Sequence, residues 1–187
     1  MISREEALEL LKRYLKDDKM VKHCLAVEAI MRTLARRLGE DEELWGLIGL
    51  LHDIDYDITN KNPLRHGLEA LRILKGLLPD YALEAIAGHN EHNGFEVKSP
   101  EALRILPALR AADHLSGLII ATALVMPHKK LEEVKVKSVK KKFKSKDFAR
   151  GVNRNRIREI EKLGVSLDEL FSIGLEALKA IAPQLGL

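Results

Sequence analysis

The sequence predicts an all-α protein, and three observations carry that expectation. Aromatic residues make up only 4% of the 187 residues while hydrophobic residues reach 46%. The core must therefore be mostly Leu, Ile, Ala and Val, a mix that favours helices. Apolar residues also recur at spacings of three and four in segment after segment, which gathers them on one helical face. Helix start and stop signals bracket those segments, with Ser, Asp or Pro ahead and Gly or Pro behind.

Taken in order, Ser3 and Glu6 form a capping box, and Leu8, Leu11 and Leu15 follow at helical spacing. A second helix begins near Asp18 and runs to Gly39, burying Val27, Ile30, Met31, Leu34 and Leu38. Asp41 caps a third, whose apolar run (Leu44, Trp45, Leu47, Ile48, Leu50, Leu51) ends at the pair His52-Asp53. Residues 55–63, rich in Asp, Asn and Thr, read as a loop. Periodicity returns from His66 to Leu78 and stops at Pro79; Asp80 then caps a helix from Tyr81 to about His92, before Gly94. Ser99-Pro100-Glu101 places Ser at the N-cap and Pro at the first helical position. The helix it opens, to about Val125, is apolar nearly all round and should lie at the centre.

Beyond Pro127 the pattern weakens. Lys129 to Lys146 carries nine lysines, and EVKVKSV alternates briefly like a strand. Val136, Val139 and Phe143 nevertheless fall on one helical face, and helix is the reading adopted. Ser166 and Glu169 open a last helix, to about Ala182. With no internal repeat and no linker, residues 1–187 read as one domain, with a core over about 18–126 and a helical extension over about 127–187.

Composition narrows the function classes. Charged residues make up 32% and the net charge is +3, the balance of a soluble globular protein with no built-in demand for a polyanionic partner. The single cysteine, Cys24, excludes an intramolecular disulfide and a thiolate metal cage, and reads as a small core residue. MISREEALELLKRYLK is amphipathic and acidic, unlike a secretory signal, and the longest uncharged apolar run, Leu115 to Pro127, is too short to span a bilayer. A cytoplasmic enzyme or binding protein is expected.

The polar residues that interrupt the apolar pattern carry the chemistry. Asp113 sits among Leu109, Ala111, Ala112, Leu115 and Leu118, where an unpaired carboxylate is costly, so it requires a cation. Arg110 and Arg104, three and nine positions upstream, are one source. A divalent metal answers more of the pattern, because imidazoles and carboxylates together suit Mn, Fe, Co, Ni or Zn, and the lack of thiolates argues against a closed structural zinc site. Neighbours on a helix point about 100° apart, so His52 and Asp53 can share an ion only where the third helix ends and the backbone turns.

The order His23, His52-Asp53, Asp113, with the phrases HCLAVEAIMRTLA, LLHDIDYD, RHGLEALRILKGL, IAGHNEH and ALRAADHLSGLI, resembles the HD superfamily of metal-dependent phosphohydrolases. The resemblance spans about the first two-thirds of the chain and implies an all-helical HD-domain bundle, with the C-terminal helices as an addition. It also implies a ligand set. His23, His52, Asp53 and Asp113 correspond to the shared ligands, His66 and His89 stand where two-metal members carry two more, and Asp53 would bridge the two ions; one or two divalent transition-metal ions are expected.

The expected reaction is hydrolysis of a phosphate ester of a nucleotide or other small phosphorylated metabolite by metal-activated water. Asp55 and Asp57 follow in the loop. One of them is expected to orient water or to fix the tautomer of a ligating histidine, with ordinary loop carboxylates as the alternative; Asp57 joins Asp53 as a candidate catalytic residue. Lys61, Arg65 and His92 are candidate substrate contacts, while His114 and His128 read as structural. The basic stretch from Lys129 to Lys146, with Arg150, Arg154, Arg156 and Arg158, is either a phosphate-facing rim or a solvated face, and the solvated face is preferred. Two rival readings remain: a nucleotide-binding regulatory module without turnover, and an RNA-associated protein using the basic stretch.

Overall fold

The computed structural model describes all residues from Met1 to Leu187. Helices begin at the expected caps. Ser3 Oγ accepts the Glu6 N–H and the Glu6 side chain reaches back to Ser3, opening α1 (Arg4–Tyr14). Asp17 caps α2 (Asp18–Leu38), which Gly39 ends in the left-handed region at φ 71°. Asp41 caps α3 (Glu42–Leu51), Ser99 caps α6 (Pro100–Leu124), and Ser166 caps α9 (Leu167–Ala180). Between and beyond lie α4 (Leu68–Leu74), α5 (Asp80–Gly88), α7 (Val136–Lys144), α8 (Arg154–Arg158) and α10 (Ala182–Leu185). Single 3-10 turns cover Leu131–Glu133 and Glu159–Leu163, and there is no strand, so the fold is all-α.

Two elements are shorter than their periodicity predicts. Gly67, at φ 97°, turns the chain so that α4 starts only at Leu68. The α5 helix stops at Gly88 rather than His92 because two asparagine side chains take over beyond it. Asn93 Nδ2 donates to the carbonyls of Ala87 and His66, and Asn90 Nδ2 to those of Pro63 and His66. Sequence periodicity does not register side-chain amides that compete with the next helical turn.

The α6 helix lies at the centre, packed against α2, α5, α7, α8 and α9, as its all-round apolar character requires. The α2 and α3 helices approach most closely at Gly49, where a Cβ would lie 2.9 Å from the Val27 carbonyl oxygen and 3.0 Å from the Glu28 Cα. That contact fixes the C-terminal end of α3. Residues beyond 126 bury Leu131, Val139, Ile157, Ile160, Leu170 and Phe171 in the same apolar cluster as α2 to α6.

Two polar devices hold the C-terminal part in place. Glu159, a buried carboxylate, meets Arg110 of α6 at 3.4 Å and Arg156 of α8 at 2.7 Å. Arg154 donates to six backbone carbonyls, those of Lys142, Phe143, Ser145, Phe148, Ala149 and Val152. The segment from 142 to 152 is therefore wrapped around one guanidinium. No helix is long and apolar enough to cross a membrane.

Candidate metal centre

His52 is the C-cap of α3, and its Nδ1 lies 2.7 Å from the Gly49 carbonyl, one of the orphan acceptors at the helix end. A carbonyl only accepts, so Nδ1 carries the proton and the lone pair is left on Nε2. Asp53 follows as the chain leaves the helix. Its Oδ2 is 3.1 Å from His52 Nε2 and 3.2 Å from His23 Nε2. Its Oδ1 is 3.0 Å from His66 Nε2 and 3.2 Å from His89 Nε2. From α6, Asp113 places Oδ1 2.9 Å from His23 Nε2 and 3.5 Å from His52 Nε2.

The six residues singled out from the sequence as ligands thus come together, in two groups that share Asp53. His23, His52, Asp53 and Asp113 form one, and Asp53, His66 and His89 the other, with the donor atoms of each within 4.8 Å of one another. The anticipated arginine partners of Asp113 are occupied elsewhere. Arg110 reaches the Gly88 carbonyl and Glu159, and Arg104 pairs with Glu40.

The surroundings aim these donors inward. His89 Nδ1 donates to the Ile86 carbonyl, and His66 Nδ1 donates to Asp55 Oδ1 at 2.7 Å. Both rings therefore turn Nε2 toward Asp53. Asp55 is fully buried and stabilised by two further donors, the backbone N–H groups of Gly67 at 2.7 Å and Ala70 at 3.0 Å. Of the two loop carboxylates, Asp55 is the one that hydrogen-bonds a histidine of the cluster. Asp57 is outside both groups and accepts the Lys16 N–H at 3.0 Å, tying the link between α1 and α2 to this loop.

A cation fits this donor set on a direct observation. His52 Nε2 is fully buried and makes no hydrogen bond, although two carboxylates face it. Lone pair opposing lone pair is unfavourable until a positive charge lies among them, and oxygen and imidazole nitrogen without thiolate suit a divalent transition metal. In the metal-free protein, protons supply that charge. Burial alone pushes the His23 and His66 pKa values down, but the facing carboxylates (Asp113 and Asp53 for His23, Asp53 and Asp55 for His66) reverse this and hold both at about 9. Burial acts upward on Asp53 and Asp113, yet the histidines keep both well below the usual carboxylate range.

A cavity of about 370 Å³ opens over the centre, lined by Asp53, His66, His89 and Asp113. Its other wall includes Tyr56, His92, His114, Asn153 and Arg156. Of the three expected substrate contacts, only His92 lines it. Lys61 lies over the Tyr56 ring, 5.8 Å from its centroid, and Arg65 pairs with Glu69 at 3.5 Å. His114, expected to be structural, and Arg156, counted with the solvated basic face, both line the cavity, and Asn153 escaped sequence reasoning. Arg156 is held by Glu91 and Glu159. The Asn153 backbone N–H donates to His114 Nδ1 at 3.1 Å, which leaves the proton of that ring on Nε2. Burial, the largest influence on His114, keeps it below the usual histidine pKa, as a neutral ring. The one available sequence signal was Asn153, an N-cap residue type ahead of Arg154–Arg158.

The family model for the HD domain matches residues 20–121, the stretch from the start of α2 almost to the end of α6. No solved structure matches the chain. The matched stretch is more than half of the protein and contains every residue of both groups, so this chain belongs to the HD domain family.

Proposed function

We propose that this protein is a metal-dependent phosphohydrolase that cleaves a phosphate ester of a nucleotide or another small phosphorylated metabolite. The observation that carries this reading is the buried, unpartnered His52 Nε2 facing Asp53 and Asp113, two carboxylates that line an open cavity, in a family of metal-dependent phosphohydrolases. His23, His52, Asp53 and Asp113 would hold one ion, and Asp53, His66 and His89 a second. A divalent cation bound there lowers the pKa of water toward neutrality and offsets charge on phosphoryl oxygens.

The chain supplies position and polarity. The Gly49 and Ile86 carbonyls and the Asp55 carboxylate lock three imidazoles in the tautomer that points Nε2 inward. His114, whose Nδ1 accepts from the backbone, has an N–H left to donate to a phosphoryl oxygen, and Arg156, held by Glu91 and Glu159, shapes the same wall. Tyr56 and His92 complete the opening through which an ester enters.

The test is a phosphate-release screen of nucleotides and phosphate esters with Mn, Fe, Co, Ni and Zn, run on the protein and on Asp53→Ala. Asp53 contributes to both groups, so its loss is expected to abolish metal retention and turnover together. Undiminished phosphate release by Asp53→Ala refutes the reading. Nucleotide binding without release by the parent protein points instead to a module without turnover.

A further inference from the structure

A second cleft, of about 520 Å³, adjoins the metal cavity and shares Asn153 with it. Lys144, Lys146, Arg150, Arg154 and Arg158 line it, and no carboxylate does. The cations differ in how far they are already committed. Arg154 spends its donors on six carbonyls and acts as scaffold. Arg150 leans on Asp147 at 3.4 Å, but these side chains are 79% and 91% exposed, and water screens such a pair. Arg158 stacks over the Phe143 ring, 4.9 Å from its centroid, without a carboxylate partner. The ion pairs of this region, Lys140–Asp168, Arg150–Asp147, Arg156–Glu159 and Lys162–Glu159, leave Lys144, Lys146 and Arg158 free. In a chain whose net charge is only +3, this concentration of cations without carboxylate partners beside a cavity makes the cleft attractive to an anion.

We infer that this cleft binds a phosphate group of the substrate other than the one cleaved, so that the substrate is a small molecule carrying at least two phosphates. The inference rests on the phosphohydrolase reading for what happens at the metal centre. The link between the two sites is a short chain of contacts: Asp113 adjoins His114, His114 accepts from Asn153, and Asn153 lines both cavities. The cleft has the volume of a small-molecule site. A single-stranded nucleic acid instead requires a basic groove with aromatic rings free for base stacking. Phe143 is 5% exposed and covered by Arg158, and Lys142 lies over the Phe148 ring at 4.6 Å, so neither ring is free.

The experiment uses the full chain and Lys144→Ala/Lys146→Ala, two exposed positions whose replacement leaves the core intact. Inorganic tripolyphosphate is titrated by calorimetry into chelator-treated protein, and kcat/KM is compared for a nucleoside 3′,5′-bisphosphate and the corresponding monophosphate in the metal-loaded protein. Tripolyphosphate is expected to bind the parent and to lose roughly tenfold or more in affinity per lysine removed. The preference for the bisphosphate should collapse in the same variant. Equal tripolyphosphate binding by parent and variant, or no bisphosphate preference in the parent, overturns the inference. So does tighter, steeply salt-dependent binding of a single-stranded oligonucleotide, which assigns the cleft to nucleic acid. Lysine-dependent tripolyphosphate binding in a protein that hydrolyses no ester would sink the phosphohydrolase reading alone and uphold the anion site.

Discussion

Asp55→Asn isolates the orientation of one imidazole from everything else the loop does. In the parent, Asp55 Oδ2 accepts from both Gly67 and Ala70, while Oδ1 alone receives His66 Nδ1. An asparagine of the same shape keeps its carbonyl oxygen on the two backbone donors and turns its NH₂ toward His66. Nδ1 must then accept, the proton moves to Nε2, and the lone pair aimed at Asp53 is lost. One charge-assisted hydrogen bond becomes a neutral one, a loss of about 1–2 kcal/mol, or about 2–8 °C in Tm for a chain of this size. Removing the partner that orients a ligating histidine weakens metal binding by about 10–100-fold. Asp55→Ala also strands two buried N–H groups and should cost about 2–6 kcal/mol. The assay pairs a calorimetric Mn or Zn titration with thermal unfolding. The expected result for Asp55→Asn is one ion held as in the parent, through His23, His52 and Asp113, and the other weakened. Two ions bound with parental affinity would refute the tautomer argument.

In metal-free protein the His23 and His66 pKa values stand at about 9 against an ordinary 6.5, so their protons stabilise the fold fully below 6.5. That contribution is lost as pH rises from 6.5 to 9, and the denaturant midpoint in chelator should fall across this window. Metal affinity should climb over the same range as the competing protons leave; a flat profile for both would mean the histidines are neutral without metal. Gly49→Ala drives a Cβ to within 2.9 Å of the Val27 carbonyl oxygen. The expected loss is about 1–3 kcal/mol, with weaker metal binding because His52 and Asp53 ride on the end of α3. Unchanged thermal unfolding and metal titration would show that the contact between α2 and α3 has room to spare.

The helices were legible because caps and periodicity are local. Ser3, Asp41, Ser99 and Ser166 each begin a helix within a residue of expectation. Asp113 was legible because a charged residue set into an apolar helix is costly unless a counter-charge meets it, and it has none on its own helix; the other five members of the His/Asp cluster were legible through the order of residues that resembles the HD superfamily. What escaped depends on geometry between distant segments. The alternation of Asp55 and Asp57 gives no hint of which one turns inward; the N–H groups of Gly67 and Ala70 decide it. Lys61 and Arg65 lie close to the ligands in sequence but outside the cavity, whereas Asn153 and Arg156 lie far in sequence and line it. Nor does a run of lysines show which of its charges face a cleft.

The wrapping of residues 142–152 around Arg154 makes that stretch resemble a chelate whose central ion happens to be covalently attached. Its shape answers to one side chain, with Asn153 and thus the His114 wall immediately downstream. Truncation to Arg154→Ala would leave an empty seat lined by six oxygens, and free guanidine at low concentration, ordinarily a denaturant, should act there as a prosthetic part and restore the fold of the loop.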